Sequence, residues 1–245
     1  MAAAFEQAKD EIARLVAYFR ANDVRYLSPA YKETWARQEF IDPFFIALGW
    51  DVRNERRVAP QYREVITEES LDVEGHRKAP DYVFRIGQTN KFFAEAKKPG
   101  VAIKSDPAPA YQLRRYAWSA KLPLSILTDF HELAVYECRR RPRDSDKASI
   151  GRIHYIGCDE YPDRFREVWD LFSRDAVWAG SFDRFVQAER GKRGMTGWFR
   201  WSSKCCNCTS LCTTPRPPPP TANFISARLT APTARLTGWS MNCMV

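Results

Sequence analysis

The chain has 245 residues and a formal net charge of +8. Hydrophobic residues make up 44% and charged residues 28%, the usage of a globular protein long enough to bury a core. No run of about 18 apolar residues occurs, which excludes a transmembrane helix, and the stretch from Met1 to Arg20 has no signal-like apolar segment, so the chain reads as cytoplasmic with its thiols free.

Phe5, Ala8, Ile12, Leu15, Val16 and Phe19 recur at helical spacing and predict an amphipathic helix over 5–20. Ser28-Pro29 breaks the chain. A second helix is expected over about 32–48, with Phe40, Ile41, Phe44, Phe45 and Leu48 inward and Gly49 as its stop. Residues 50–53 read as a strand, and 54–79 are polar and carry no assignment. The pattern then changes to period two. Residues 81–86 and 91–97 read as paired strands around a Gly87-Gln88-Thr89-Asn90 turn. A helix over about 108–120 follows. Apolar runs at 122–128 and 132–138 read as buried strands joined by Asp129-Phe130-His131. Residues 139–149 form a charged loop, 153–156 a further strand, and 163–172 and 182–189 helices. The fold class is therefore α/β in the sense of a mixed sheet flanked by helices.

The hairpin carries the chemistry. With its turn centred on Gln88, Asp81 and Glu95 face each other across the two strands, with Cβ atoms about 5 Å apart. Lys97 lies two residues after Glu95 and projects from the same sheet face. Two carboxylates this close repel unless a cation lies between them. Mg²⁺ favours one or two carboxylates together with waters and phosphate oxygens. Such an ion activates water and stabilises the charge of phosphodiester hydrolysis. Lys97 could orient or deprotonate that water, or stabilise the phosphorane. The alternative for the three residues is a solvent-facing cross-strand salt bridge. The apolar flanks, Pro80 before Asp81 and Phe92-Phe93-Ala94 before Glu95, argue for a buried strand, where uncompensated charge is costly.

The positive charge does not reinforce this reading. After Glu189 the chain carries Arg190, Lys192, Arg193, Arg200, Lys204, Arg216, Arg228 and Arg235 with no acid, so residues 1–189 hold 30 basic and 30 acidic residues. The same tail, 191–245, holds five of the seven cysteines (Cys205, Cys206, Cys208, Cys212 and Cys243) and the run Pro217 to Pro220. It reads as a disordered basic tail, as a zinc knuckle on its clustered cysteines, or as an out-of-frame terminus; the last accounts best for Arg, Pro, Thr, Cys and Trp without acids. The domain boundary is set at 190. His76, His131 and His154 show no ligand spacing and read as surface or loop residues, and Cys138 and Cys158 as packing residues.

Pro80-Asp81, thirteen intervening residues and Glu95-Ala96-Lys97 resemble the PD-(D/E)xK nuclease signature. Gln112-Leu-Arg-Arg-Tyr116 is similar to the Q-x-x-x-Y element that follows it in restriction enzymes. The stretch Arg37 to Phe45 with Leu48-Gly49-Trp50-Asp51 resembles the opening helix of the same group. That group includes the N-terminal nuclease domains of type I restriction R subunits and the single-chain type IIG enzymes, and the opening helix leans to type IIG. The likeness covers about residues 5–190. It implies a restriction-endonuclease-like PD-(D/E)xK fold and a Mg²⁺-dependent endonuclease module acting on double-stranded DNA. Asp81 and Glu95 would bind the ion, Lys97 would assist the attacking water, and an acid of the opening helix would complete the site. Glu33 and Glu39 both qualify. Glu33 shares a stripe with Arg37, Phe40 and Phe44 and is chosen. Gln112 and Tyr116 would bond phosphate or steady Lys97, and Arg114 and Arg115 would meet the DNA backbone.

Neither a P-loop nor an N-P-P-Y tetrapeptide nor a glycine-rich S-adenosylmethionine loop is present. The chain thus reads as a truncated nuclease module whose methyltransferase and specificity modules are supplied elsewhere. The competing expectations are an inactive remnant or DNA-binding accessory domain with the same fold, and a structural sheet domain for protein contacts.

Overall fold

The computed structural model describes residues 2–67, 80–183 and 185. The tail at 191–245, with its three readings and the boundary at 190, lies outside the described residues. So do His76 and most of the helix expected over 182–189.

Helix α1 (Ala2–Ala21) buries Phe5, Ala8, Ile12, Leu15, Val16 and Phe19, the stripe expected from their spacing. A short turn of helix, α2 (Asp23–Tyr26), leads to the second long helical stretch. This comprises α3 (Glu33–Ala36), a π-helical turn (Arg37–Ile41) and α4 (Asp42–Ala47). Gly49 ends it at φ +90°, a left-handed conformation that costs glycine little. All five of its expected inward residues are buried.

Six strands follow in one sheet of order β1-β2-β3-β4-β5-β6: β1 (Val65–Thr67), β2 (Tyr82–Ile86), β3 (Thr89–Ala96), β4 (Leu124–Thr128), β5 (Glu132–Glu137) and β6 (Arg152–Gly157). Every pairing is antiparallel except β3 with β4, whose parallel course requires a crossover. Helix α5 (Pro107–Ser119) makes it, capped by Asp106, whose side chain accepts from Ala108 N–H. Helices α6 (Tyr161–Phe172) and α7 (Arg174–Trp178) close the chain as described.

Alternation along the strands divides the core in two. Phe84, Phe92, Ala94, Ala96, Ile126 and Val135 pack towards α1, α4 and α6. Val83, Phe93, Leu127, Ala134 and Tyr136 pack towards Ala110, Leu113 and Ala117 of α5. The first face is rich in aromatic rings. Phe40 stacks on Phe130 at 4.9 Å, and Phe84 stacks on its cross-strand neighbour Phe92 at 4.2 Å with planes 6° apart. A cross-strand pair of this kind contributes about 0.5–1.5 kcal/mol beyond its burial, and it resists a slip in register.

Three expectations are corrected. Residues 50–53 form no strand. Trp50 is buried with its indole N–H donating to Phe172 O at 2.8 Å, and the Asp51 carboxylate accepts from the backbone of Glu55 and Arg56, so the chain curls instead of extending. A strand, β1, occurs within the unassigned 54–79; three residues are too few to show a period. Helix α7 was not anticipated, and its start is marked by Ser173, whose hydroxyl accepts from Ala176 N–H. His154 lies on β6, bonded to Glu167 at 2.9 Å, and His131 stacks on Phe19. Cys138 and Cys158 are buried, and burial pushes their thiols up to about 12 and about 11.

The link between β4 and β5 buries a carboxyl group completely. Asp129 Oδ1 accepts from Glu132 N–H at 2.6 Å, whereas Oδ2 has no hydrogen-bond partner. Burial raises this carboxyl well above its ordinary range. The folded state therefore keeps a proton that the unfolded chain releases, and stability falls as pH rises beyond the ordinary carboxylate range. Asp129→Asn retains the Oδ1 acceptor without the ionisable proton. Its urea midpoint is expected to decline less than that of the parent between about pH 5 and pH 8, and parallel declines would refute this account.

Candidate active site

The β2–β3 ladder has the register expected from the turn. Tyr82 pairs with Ala94, Val83 with Phe93 and Phe84 with Phe92; a bulge at Phe84/Arg85 then tightens the turn to Gly87-Gln88. Asp81 lies just before the ladder. Its Oδ2 accepts from Ala96 N–H at 2.8 Å, which ties it to the end of β3 beside Glu95. One residue on, Lys97 N–H donates to Thr128 O at 2.9 Å, extending the β3–β4 pairing past the last strand residue. The three charged residues thus collect where β3 runs out.

Glu95 is 2% exposed and Asp81 6%. Glu95 Oε1 accepts from Lys97 Nζ at 2.8 Å and from Gln112 Nε2, on α5, at 2.6 Å. Glu95 Oε2 is buried without a hydrogen-bond partner. Burial and then the Asp81 charge push the Glu95 carboxyl up to about 7, against the pull of Lys97. Burial opposes the charge of Lys97, but Glu95, Glu33 and Asp81 outweigh it and hold the ammonium above its ordinary value. Asp81 Oδ1 meets Arg37 Nη1 at 3.5 Å, and the Arg37 guanidinium lies 5.1 Å from the centre of the Tyr82 ring.

The opening helix resolves its two acids differently. The charge of Glu33 acts on both Glu95 and Lys97. Glu39 lines a small cleft with Tyr18, Tyr26 and Tyr31, and its charge helps burial push the Tyr31 hydroxyl up. On α5, Gln112 reaches the site, while Tyr116, one turn on, packs into the core beneath the helix. Arg114 departs from its expected place on the DNA-facing surface. It is 1% exposed and ion-paired with Asp146 at 3.0 Å, so it braces the 139–149 loop, whereas Arg115 is exposed. Sequence reasoning missed Arg37 as a site residue. The available signal was its place four residues after Glu33, but the π-helical turn that carries it has no simple sequence mark.

Whether these residues suit a divalent ion rests on the donor set. Among the described residues no three His, Cys, Asp or Glu side chains are grouped as a metal cage. Mg²⁺ does not need one, since one or two carboxylates suffice with water and phosphate. Asp81 and Glu95 fit that requirement, and the partnerless Oε2 is the atom a cation would satisfy. A concavity of about 980 Å³ bordered by α1, α4 and α7 includes none of these residues.

The raised Glu95 carboxyl has a measurable consequence. Its folded value is about 7 against an ordinary 4.5, so the stability it contributes is complete below 4.5 and is lost as pH rises through 7. A divalent cation needs the ionised form and releases that proton on binding. Saturating Mg²⁺ is therefore expected to raise the melting midpoint by about 5 °C near pH 8 and by much less near pH 5.5. Glu95→Gln should abolish the Mg²⁺ effect, and a Mg²⁺ effect independent of pH would contradict the assignment.

No family model matches the sequence, and no solved structure matches it. Among the described residues no helix is long and apolar enough to cross a membrane. The chain spans about a fifth of the length of the curated relative it matches: it is similar to the "Type II restriction enzyme and methyltransferase RM.Eco57I" of Escherichia coli, 38% identical over 177 residues, which are 71% of this chain and 18% of that protein.

Proposed function

We propose that the chain is the Mg²⁺-dependent DNA endonuclease module of a restriction–modification enzyme, with a PD-(D/E)xK site at the end of β3. The observation that carries this reading is Glu95. It is a buried carboxylate with one oxygen doubly bonded by Lys97 and Gln112 and the other without a partner, beside a second buried carboxylate. A solvent-facing salt bridge would not be 2% exposed. The similarity to a restriction enzyme over most of the chain supports the same reading, as does the six-stranded mixed sheet flanked by helices.

In this mechanism Asp81 and Glu95 would hold the divalent ion, with Glu33 adding negative charge to its surroundings. The ion would supply charge neutralisation at the phosphate and a water of lowered pKa. Lys97 remains an ammonium at neutral pH because the acids around it hold its proton. A charged lysine donates, so Lys97 orients the attacking water or stabilises charge on the phosphoryl oxygens; proton abstraction does not suit it. Gln112 fixes the Glu95 carboxylate from the α5 side, and Arg37 restrains Asp81 from the other. Arg115 meets the DNA backbone. Methyltransferase and specificity functions belong to other modules.

Supercoiled plasmid incubated with Mg²⁺ or Mn²⁺ tests this directly. The parent chain is expected to nick or linearise it, and Lys97→Ala to be slower by about 100-fold or more. Gln112→Ala, which leaves the ligands in place but removes a supporting donor, is expected to weaken metal affinity about 10–100-fold. Identical behaviour of parent and Lys97→Ala would exclude the nuclease and leave the DNA-binding accessory domain.

A further inference from the structure

Helix α5 has a third face, and it is neither core nor active site. Tyr111, Arg115 and Trp118 lie at i, i+4 and i+7 along it. Across from them the 139–149 loop presents Arg140, Arg141 and Arg143, all exposed. Together these side chains line a cleft of about 780 Å³. The guanidinium of Arg141 lies 5.4 Å from the Trp118 ring centre, and that of Arg115 lies 6.0 Å from Tyr111 and 5.4 Å from Tyr116. Stacking occupies the flat face of a guanidinium and leaves its N–H edge to donate, which suits bidentate recognition of phosphate.

The loop is built to stay in place. Buried Arg114 binds Asp146, whose Oδ2 also accepts from Arg143 N–H at 3.1 Å, and the Tyr136 hydroxyl donates to Ala148 O at 2.8 Å. The carboxylate lining the cleft, Asp144, lies close enough to Tyr111 to raise its hydroxyl above the ordinary value. The loop stretch 139–147 carries Arg139, Arg140, Arg141, Arg143 and Lys147 against Asp144 and Asp146, in a region, 1–189, that is neutral as a whole. Positive charge is therefore segregated here.

We infer that this arginine–aromatic cleft is a docking surface for the phosphate backbone of duplex DNA, continuous along α5 with the carboxylate site. The inference rests on the nuclease reading for its substrate, but its evidence is separate. From Gln112, which touches Glu95, to Trp118 the helix advances about 9 Å, close to three nucleotide steps of 3.4 Å. A strand that ran along α5 from a phosphate at Glu95 and Lys97 would pass Arg115 and then the loop arginines. Regularly spaced anions match this arrangement, and the surface carries no sequence information of its own.

Binding can be separated from turnover in the full chain carrying Lys97→Ala. This protein is titrated with a fluorescein-labelled duplex of about 30 base pairs over a series of NaCl concentrations, with Mg²⁺ present. Replacing Arg140, Arg141 and Arg143 by Gln is expected to weaken binding about 10–100-fold near 0.1 M NaCl and to make the log–log salt slope shallower by about two to three. The corresponding Lys replacements should keep most of the slope. Arg115→Gln, on α5, probes the same surface independently of the loop and should lower the slope by about one. Unchanged affinity and slope in Gln variants that melt at the parent temperature would overturn the inference. The nuclease reading is scored separately, by cleavage with Lys97 intact. Weaker binding by the Gln variants without any cleavage by the parent sustains the surface and removes the nuclease. Cleavage with unaltered duplex affinity does the opposite.

Discussion

One hydrogen bond from backbone to side chain organises the candidate site: Ala96 N–H donates to Asp81 Oδ2 at 2.8 Å. It forms because β2 and β3 pair in a single register, and that register is held by the Phe84–Phe92 stack at 4.2 Å on the opposite face of the sheet. A slip of β3 by one residue would turn the Phe92 ring out of the larger core and carry Glu95 to the wrong face. The aromatic core and the carboxylate pair are thus two sides of the same alternation. Phe92, Ala94 and Ala96 of β3 enter the core beneath α1, α4 and α6, and Phe93 and Glu95 face α5.

Burial makes the site electrostatically tense. A carboxylate 2% exposed beside another at 6% would be neutralised by protonation alone, and burial indeed raises Glu95 to about 7. Lys97, Arg37 and Gln112 offset only part of this, because Lys97 and Gln112 share one oxygen of Glu95 and leave the other bare. Such an arrangement holds little merit as a structural ion pair, since replacing buried charges by apolar groups is often neutral or stabilising. It is reasonable as a cation site, where the missing charge arrives with the ligand.

Helix α5 divides four tasks among four consecutive residues. Leu113 enters the core, Gln112 supports Glu95, Arg114 is buried to hold the 139–149 loop, and Arg115 is turned outward beside that loop. With about 100° between successive residues, a helix crossing from β3 to β4 borders core, site and surface at once. The parallel β3–β4 pair, the one non-antiparallel pairing, is what requires this crossover.

Much of this was legible in the sequence because it depends on local periods. The 3.6-residue stripe of α1, the alternation of β2 and β3, the turn at Gly87-Gln88 and the charged hairpin residues all follow from side-chain spacing along one or two adjacent elements. The PD-(D/E)xK likeness rests on the hairpin residues together with Gln112, Tyr116 and the opening helix. Tertiary structure decided whatever depends on distant neighbours. Trp50 begins no strand, because its indole finds Phe172 O on a helix 122 residues away. Glu33 and Glu39 are equivalent acids on one helical stretch, and only packing brings the charge of the first to bear on Glu95 and places the second in the tyrosine cleft. Arg114 and Arg115 are identical neighbours in sequence, yet Asp146 on a loop 32 residues away draws the first inside. Spacing states which side chains share a face, and burial against other elements determines what that face meets.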